Sequence, residues 1–95
     1  MEKQIKDLLE KLNINLPFEK DKKYYVVKID SYDEFIRIYN KFEKSLEVFK
    51  NSLASFMTED DCHVQYETDS GFIFELVGIF DDDDYTINIS KDEDN

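Results

Sequence analysis

Ninety-five residues with 23 acidic and 12 basic side chains, a formal charge of −11 and 14 phenylalanines and tyrosines can build one modest core and leave no room for a second domain. Two glycines and one proline exclude a low-complexity chain, and the aromatic content argues against disorder despite the charge. No stretch approaches the roughly 18 apolar residues of a membrane-spanning helix, and the first 23 residues hold no apolar run long enough for a secretory signal, so a cytoplasmic protein without membrane contact is expected.

Residues 2–12 place Ile5, Leu8, Leu9 and Leu12 on one face at helical spacing, which predicts a short amphipathic helix ended by Asn13, Asn15 and Pro17. Lys23 to Ile29 alternates Tyr25, Val27 and Ile29 against Tyr24, Val26 and Lys28, as a first strand would. Ser31 followed by Glu34 forms a capping box, so a second helix begins there. Its apolar positions, Phe35, Tyr39, Phe42, Leu46, Phe49, Leu53 and Phe56, step by four and three, and predict a helix from Tyr32 to about Met57, roughly 39 Å at 1.5 Å per residue. That stripe suits packing on a sheet; a homodimer through it is the alternative to a monomer.

Thr58 to Asp61 breaks the helical pattern. Cys62, Val64 and Tyr66 then alternate with His63, Gln65 and Glu67 as a strand with one wet face, and Asp69, Ser70 and Gly71 make a hairpin turn. Phe72 to Phe80 is apolar at nearly every position, the pattern of a strand covered on both faces. Asp81 to Asp84 forms the next connection, Tyr85, Ile87 and Ile89 mark the last strand, and residues 91–95 read as a frayed acidic tail. The fold class is therefore α+β over residues 1–95: a short N-terminal helix, one strand and a long helix packed on an antiparallel sheet that ends in a three-strand meander. The place of the first strand in the sheet stays open.

Charge is unevenly placed along this order. Residues 1–57 hold ten acidic and eleven basic side chains, whereas residues 58–95 hold thirteen acidic ones and Lys91 alone. In a meander the start of one strand lies at the same end as the turn joining the next two. Glu59, Asp60 and Asp61 should therefore meet Asp81, Asp82, Asp83 and Asp84 at one sheet end, with Asp69, Asp92, Glu93 and Asp94 near the other.

Motifs that carry catalysis are missing. Cys62 has no second cysteine to pair with and shares its strand face with Val64 and Tyr66, which makes it a core residue. His63 beside it points to the opposite face, so the two cannot act as nucleophile and base. Gly71 and Gly78 cannot assemble a phosphate loop, and neither a zinc-ligand spacing nor an EF-hand spacing occurs. The chain reads as a non-enzyme without catalytic residues, metal or cofactor. Arg37, Lys41 and Lys44 form a basic stripe on the second helix, but Asp33, Glu34, Glu43 and Glu47 lie close by, and the net charge disfavours direct nucleic-acid binding.

The seven carboxylates have three readings: a solvated sheet end, a hard-cation site, or a surface that stands in for nucleic-acid phosphates and occupies the basic groove of a nucleic-acid-binding protein. With eleven lysines to one arginine, small size and acidity, the chain resembles the small proteins that phages use against host nucleic-acid enzymes, including anti-restriction and anti-CRISPR inhibitors. That class has many unrelated folds, so the resemblance transfers no residue. It implies an inhibitor that binds a basic protein, acting in the host cytoplasm. Two alternatives are an immunity protein or antitoxin that neutralises a basic toxin, and a structural or oligomerisation module built on the phenylalanine stripe.

Overall fold

The computed structural model of the protein describes residues 2–45 and 49–91, with the backbone alone described over 49–54. Its first element, α1 (Glu2–Lys11), buries Ile5 and Leu9 and stops as the asparagine signal predicts. Asn13 takes the left-handed conformation at φ 57°, its N–H donates to the Glu10 carbonyl at 3.0 Å, and the Ile14 N–H donates to the Leu9 carbonyl at 2.9 Å. This double closure satisfies two of the helix's last carbonyls, and it brings Ile14 into the same buried cluster as Leu9.

The chain then forms a hairpin of β1 (Phe18–Asp21) and β2 (Tyr24–Ile29), where a single strand was expected. Lys22 makes the turn at φ 58°, a left-handed position without the usual glycine or asparagine, which is why the short strand before it carried no turn signal. Helix α2 (Tyr32–Lys44) starts at Ser31, whose hydroxyl accepts the Glu34 N–H at 3.2 Å. The Glu34 carboxylate turns to Arg37 one turn further along the helix, and among the described residues only this half of the expected box is made.

The expected extent of α2 is corrected by the structure. The helix is 13 residues long, about 20 Å, and Phe49–Met57 is strand β3. A helix of roughly 39 Å would have outrun the molecule, whose longest extent is 36 Å. Ser45 ends α2: its hydroxyl donates to the Lys41 carbonyl and its N–H to the Phe42 carbonyl at 3.2 Å, in a tightened last turn. Beyond it, Asn51, Ser52 and Ser55 are poor helix formers, and pairing with the open edge of β4 outweighs the apolar periodicity. Two register shifts, between Phe49 and Asn51 and between Ser52 and Ala54, let a segment without strict alternation lie on a pleated edge. Of the seven apolar stripe positions, Phe35 and Phe42 are buried and Tyr39 packs against the core, Phe49, Leu53 and Phe56 belong to β3, and Leu46 lies outside the described residues.

Strands β4 (Asp61–Thr68), β5 (Phe72–Ile79) and β6 (Asp84–Lys91) form the expected meander, which β3 extends to four strands. A 3₁₀ turn, Phe80–Asp82, joins β5 to β6, and Asp83 closes it at φ 49°. The sheet order is β1-β2-β6-β5-β4-β3 with every pair antiparallel, so β2 lies beside β6. Lys91, the first residue of the expected tail, is instead the last residue of β6, abreast of Phe72; residues 92–95 lie outside the described residues.

The sheet buries Tyr25, Val27 and Ile29 of β2, Cys62, Val64 and Tyr66 of β4, Phe72, Phe74 and Leu76 of β5, and Tyr85, Ile87 and Ile89 of β6 against α1 and α2. Gly78 shares that face and leaves the space taken by the Phe35 ring. The opposite face is not covered by any element among the described residues: alternate residues of β5 are half-buried, where cover on both faces was expected. Among the described residues no helix is long and apolar enough to cross a membrane.

Candidate functional site

The meander brings the two acidic runs together as the topology predicts. In the β3–β4 turn, Thr58 donates its N–H to the Asp61 carbonyl at 2.8 Å, and its hydroxyl accepts the N–H groups of Asp60 and Asp61 at 3.1 and 3.0 Å while donating to the Asp61 carboxylate at 2.6 Å. The neighbouring 3₁₀ turn is tied to it by the Phe80 N–H, which donates to the Asp60 carbonyl at 2.9 Å. Asp61 and Asp84 both stand abreast of Ile79, one on each side. Asp83 accepts a hydrogen bond from the Tyr85 hydroxyl at 3.2 Å.

Glu59, Asp60 and the four aspartates Asp81–Asp84 are exposed, and Asp61 is half-buried. Among the described residues none of these seven carboxylates is ion-paired with a lysine or arginine. The described residues hold no group of three or more His, Cys, Asp or Glu side chains arranged to hold a metal ion. The run is thus a fan of carboxylates on ordered turns.

Sheet order adds members that the sequence could not place. Because Ile29 pairs with Tyr85, Asp30 leaves β2 at the same end as Asp84. Helix α2 begins there too: the Tyr32 ring lies 5.8 Å from Phe80 and 6.3 Å from Tyr85. Asp33 and Glu34 occupy its first turn, where the unpaired N–H groups of the helix start favour negative charge. The signal for these three acids was the Asp30-Ser31 helix entry after β2, and it needed the β2–β6 pairing to become a location.

A second polar group lies on the open sheet face. Glu75 accepts from Gln65 at 2.8 Å, from Asn88 at 3.1 Å and from His63 at 2.7 Å. Burial alone would raise its pKa, but the three donors and the charge of His63 outweigh that and hold the carboxyl below the ordinary range. Sequence reading missed this cluster because it joins three strands. On the covered face, Cys62 is buried, and burial followed by the nearby Asp61 pushes its thiol up, away from the reactive thiolate.

The basic stripe on α2 also takes a definite place. Arg37, Lys41 and Lys44 line a shallow groove with Asn40, Ser45 and Lys11 of α1. Arg37 is engaged by Glu34 and donates to the Asn13 carbonyl at 3.5 Å, and Lys11, Lys41 and Lys44 stand in the last turns of their helices, where cations offset the unpaired carbonyls. Comparison of the chain with known families, curated proteins and solved structures finds no match.

Proposed function

We propose that this protein is a phage-type inhibitor that blocks a nucleic-acid-binding protein by laying its acidic sheet end into the partner's basic surface. The single observation that carries the reading is that two turns, tied together by the Phe80 to Asp60 hydrogen bond, hold seven carboxylates at one end without a lysine or arginine partner among the described residues. Duplex DNA and RNA present dense negative charge, and their binders use lysine and arginine to neutralise it. Carboxylates held on folded turns compete for those cations without the entropy that an acidic tail loses on ordering. Long-range attraction also speeds the encounter. Asp30, Asp33 and Glu34 widen the same negative surface.

The test is capture from a bacterial lysate on the immobilised full chain, elution with a salt gradient, and identification by mass spectrometry, followed by competition with duplex DNA and RNA for the captured protein. A nucleic-acid-binding protein is expected, released by salt and unable to hold nucleic acid and this chain together. Replacing Asp81, Asp82, Asp83 and Asp84 by Asn should weaken the complex by about tenfold or more. Asn tolerates the left-handed conformation that Asp83 adopts, so the fold should survive the change. Unchanged affinity in that variant would sink the proposal.

A further inference from the structure

Strand β5 carries apolar residues on both sides, Ile73, Val77 and Ile79 beside Glu75 on the one that the helices leave uncovered. Towards the acidic end the uncovered side carries a strip of apolar side chains set around His63. Strand pairing sets Phe56 abreast of His63 and His63 abreast of Val77; one row nearer the end, Ile79 stands between Asp61 and Asp84. Val77 and Ile79 are half-buried, and Phe56 is 55% exposed. A single exposed apolar side chain is ordinary. Three within two adjacent rows of an uncovered sheet face, two of them flanking His63 and all directly beneath a fan of carboxylates, have the form of an interaction surface: an apolar group beside a charged rim.

We propose that Phe56, Val77 and Ile79 seat an apolar element of a protein partner whose surrounding surface is rich in lysine and arginine. This rests on the reading of the acidic end given above and narrows the partner from any polycation to a protein with an apolar centre ringed by cations. Charge complementarity selects that occupant. A second copy seated on the strip would bring carboxylates against carboxylates, and an anionic lipid surface would be repelled by the same charges. The two parts of the surface act differently. The carboxylates attract at long range and are screened by salt, whereas the strip acts only at contact, by excluding water, and slows dissociation.

The probes are two fluorescent peptides of equal length and lysine content, one completed with glycine and serine and the other with leucine and tryptophan, each titrated into the full chain by anisotropy. The apolar peptide should bind about tenfold more tightly. Phe56→Thr with Val77→Thr should remove that advantage and leave the glycine-serine peptide unaffected, while Asp81→Asn with Asp82→Asn should weaken both peptides alike. Circular dichroism melting checks that each variant folds, and Phe56→Thr alone serves if the double variant does not. Equal binding of the two peptides, or an advantage that survives the threonine changes, overturns the strip and leaves the acidic end standing. Binding of neither peptide overturns both.

Discussion

At Gly78 two opposing effects can be weighed. A Cβ on this residue would lie 2.8 Å from Cζ of Phe35 and 3.1 and 3.2 Å from the adjoining ring carbons, closer than carbon atoms pack. Phe35 is fully buried, with its ring 5.1 Å from Tyr85 and 6.1 Å from Phe80, so it has little room to retreat. Alanine in a strand is favoured over glycine by about 0.5–1 kcal/mol, whereas overpacking a core costs about 1–3 kcal/mol. Overpacking should win, and Gly78→Ala should lower stability by about 1 kcal/mol in urea unfolding, the difference between the midpoints of those terms. Pairing Gly78→Ala with Phe35→Leu, which removes the ring that the new methyl meets, should recover part of the methyl's cost relative to Phe35→Leu alone. In the sequence Gly78 counted only as one of two glycines too few for a phosphate loop. Its role depends on which helix residue lies above it, and that is fixed by packing between elements far apart in the chain. By contrast, the burial of Cys62 and the opposite orientation of His63 were legible, because strand alternation alone decides them.

Elements whose ends are set by local chemistry were legible, and those set by pairing were not. The α1 stop at Asn13 and the α2 start at Ser31 each rest on a backbone conformation or cap that the residue type announces. The β1–β2 turn uses Lys22 in a conformation that lysine does not advertise. Strand β3 was concealed by spacings of four and three that continue the stripe of α2 into a segment which pairs with β4. The α2 cap gives a direct test at this scale. Only the Ser31 hydroxyl to Glu34 N–H half of the expected box is formed among the described residues, so Ser31→Ala should cost about 1 kcal/mol in chemical denaturation. Ser31→Asp should restore most of it, since a carboxylate accepts the same bond and also favours the positive end of the helix. A loss with alanine that aspartate does not recover would show either that the cap bond is not what alanine removes or that a further carboxylate beside Asp30 and Asp33 costs what the bond returns.

For the whole molecule, the candidate site was legible in its core and incomplete at its margins. The seven meander carboxylates could be placed from strand succession alone, whereas Asp30, Asp33 and Glu34 required β2 to pair with β6. The finished fold is most negative at the meander end and mixed in charge at the other, where Asp21 and Asp69 stand among the lysines. The β1–β2 turn carries Lys20, Lys22 and Lys23 to the end opposite the acids, and Lys91 joins them there, its ammonium bonded to the Ser70 carbonyl and 4.5 Å from the Phe72 ring centroid. Such a charge dipole orients an approaching cationic surface before contact. It also crowds like charges, which opposes the compact state. If the carboxylates are retained for binding rather than for folding, removing some of them should stabilise the protein. Asp81→Asn with Asp82→Asn should raise the melting temperature by a few degrees at low salt, and the gain should shrink as added salt screens the repulsion. Both residues are exposed, and neither forms an ion pair among the described residues, so the exchange removes charge without opening a cavity. A lower melting temperature at low salt would mean that the two aspartates contribute to folding, and the acidic end would then need no partner to account for them. A gain that salt abolishes would mean that the fold carries them at a cost in stability, as expected of residues kept for an interaction.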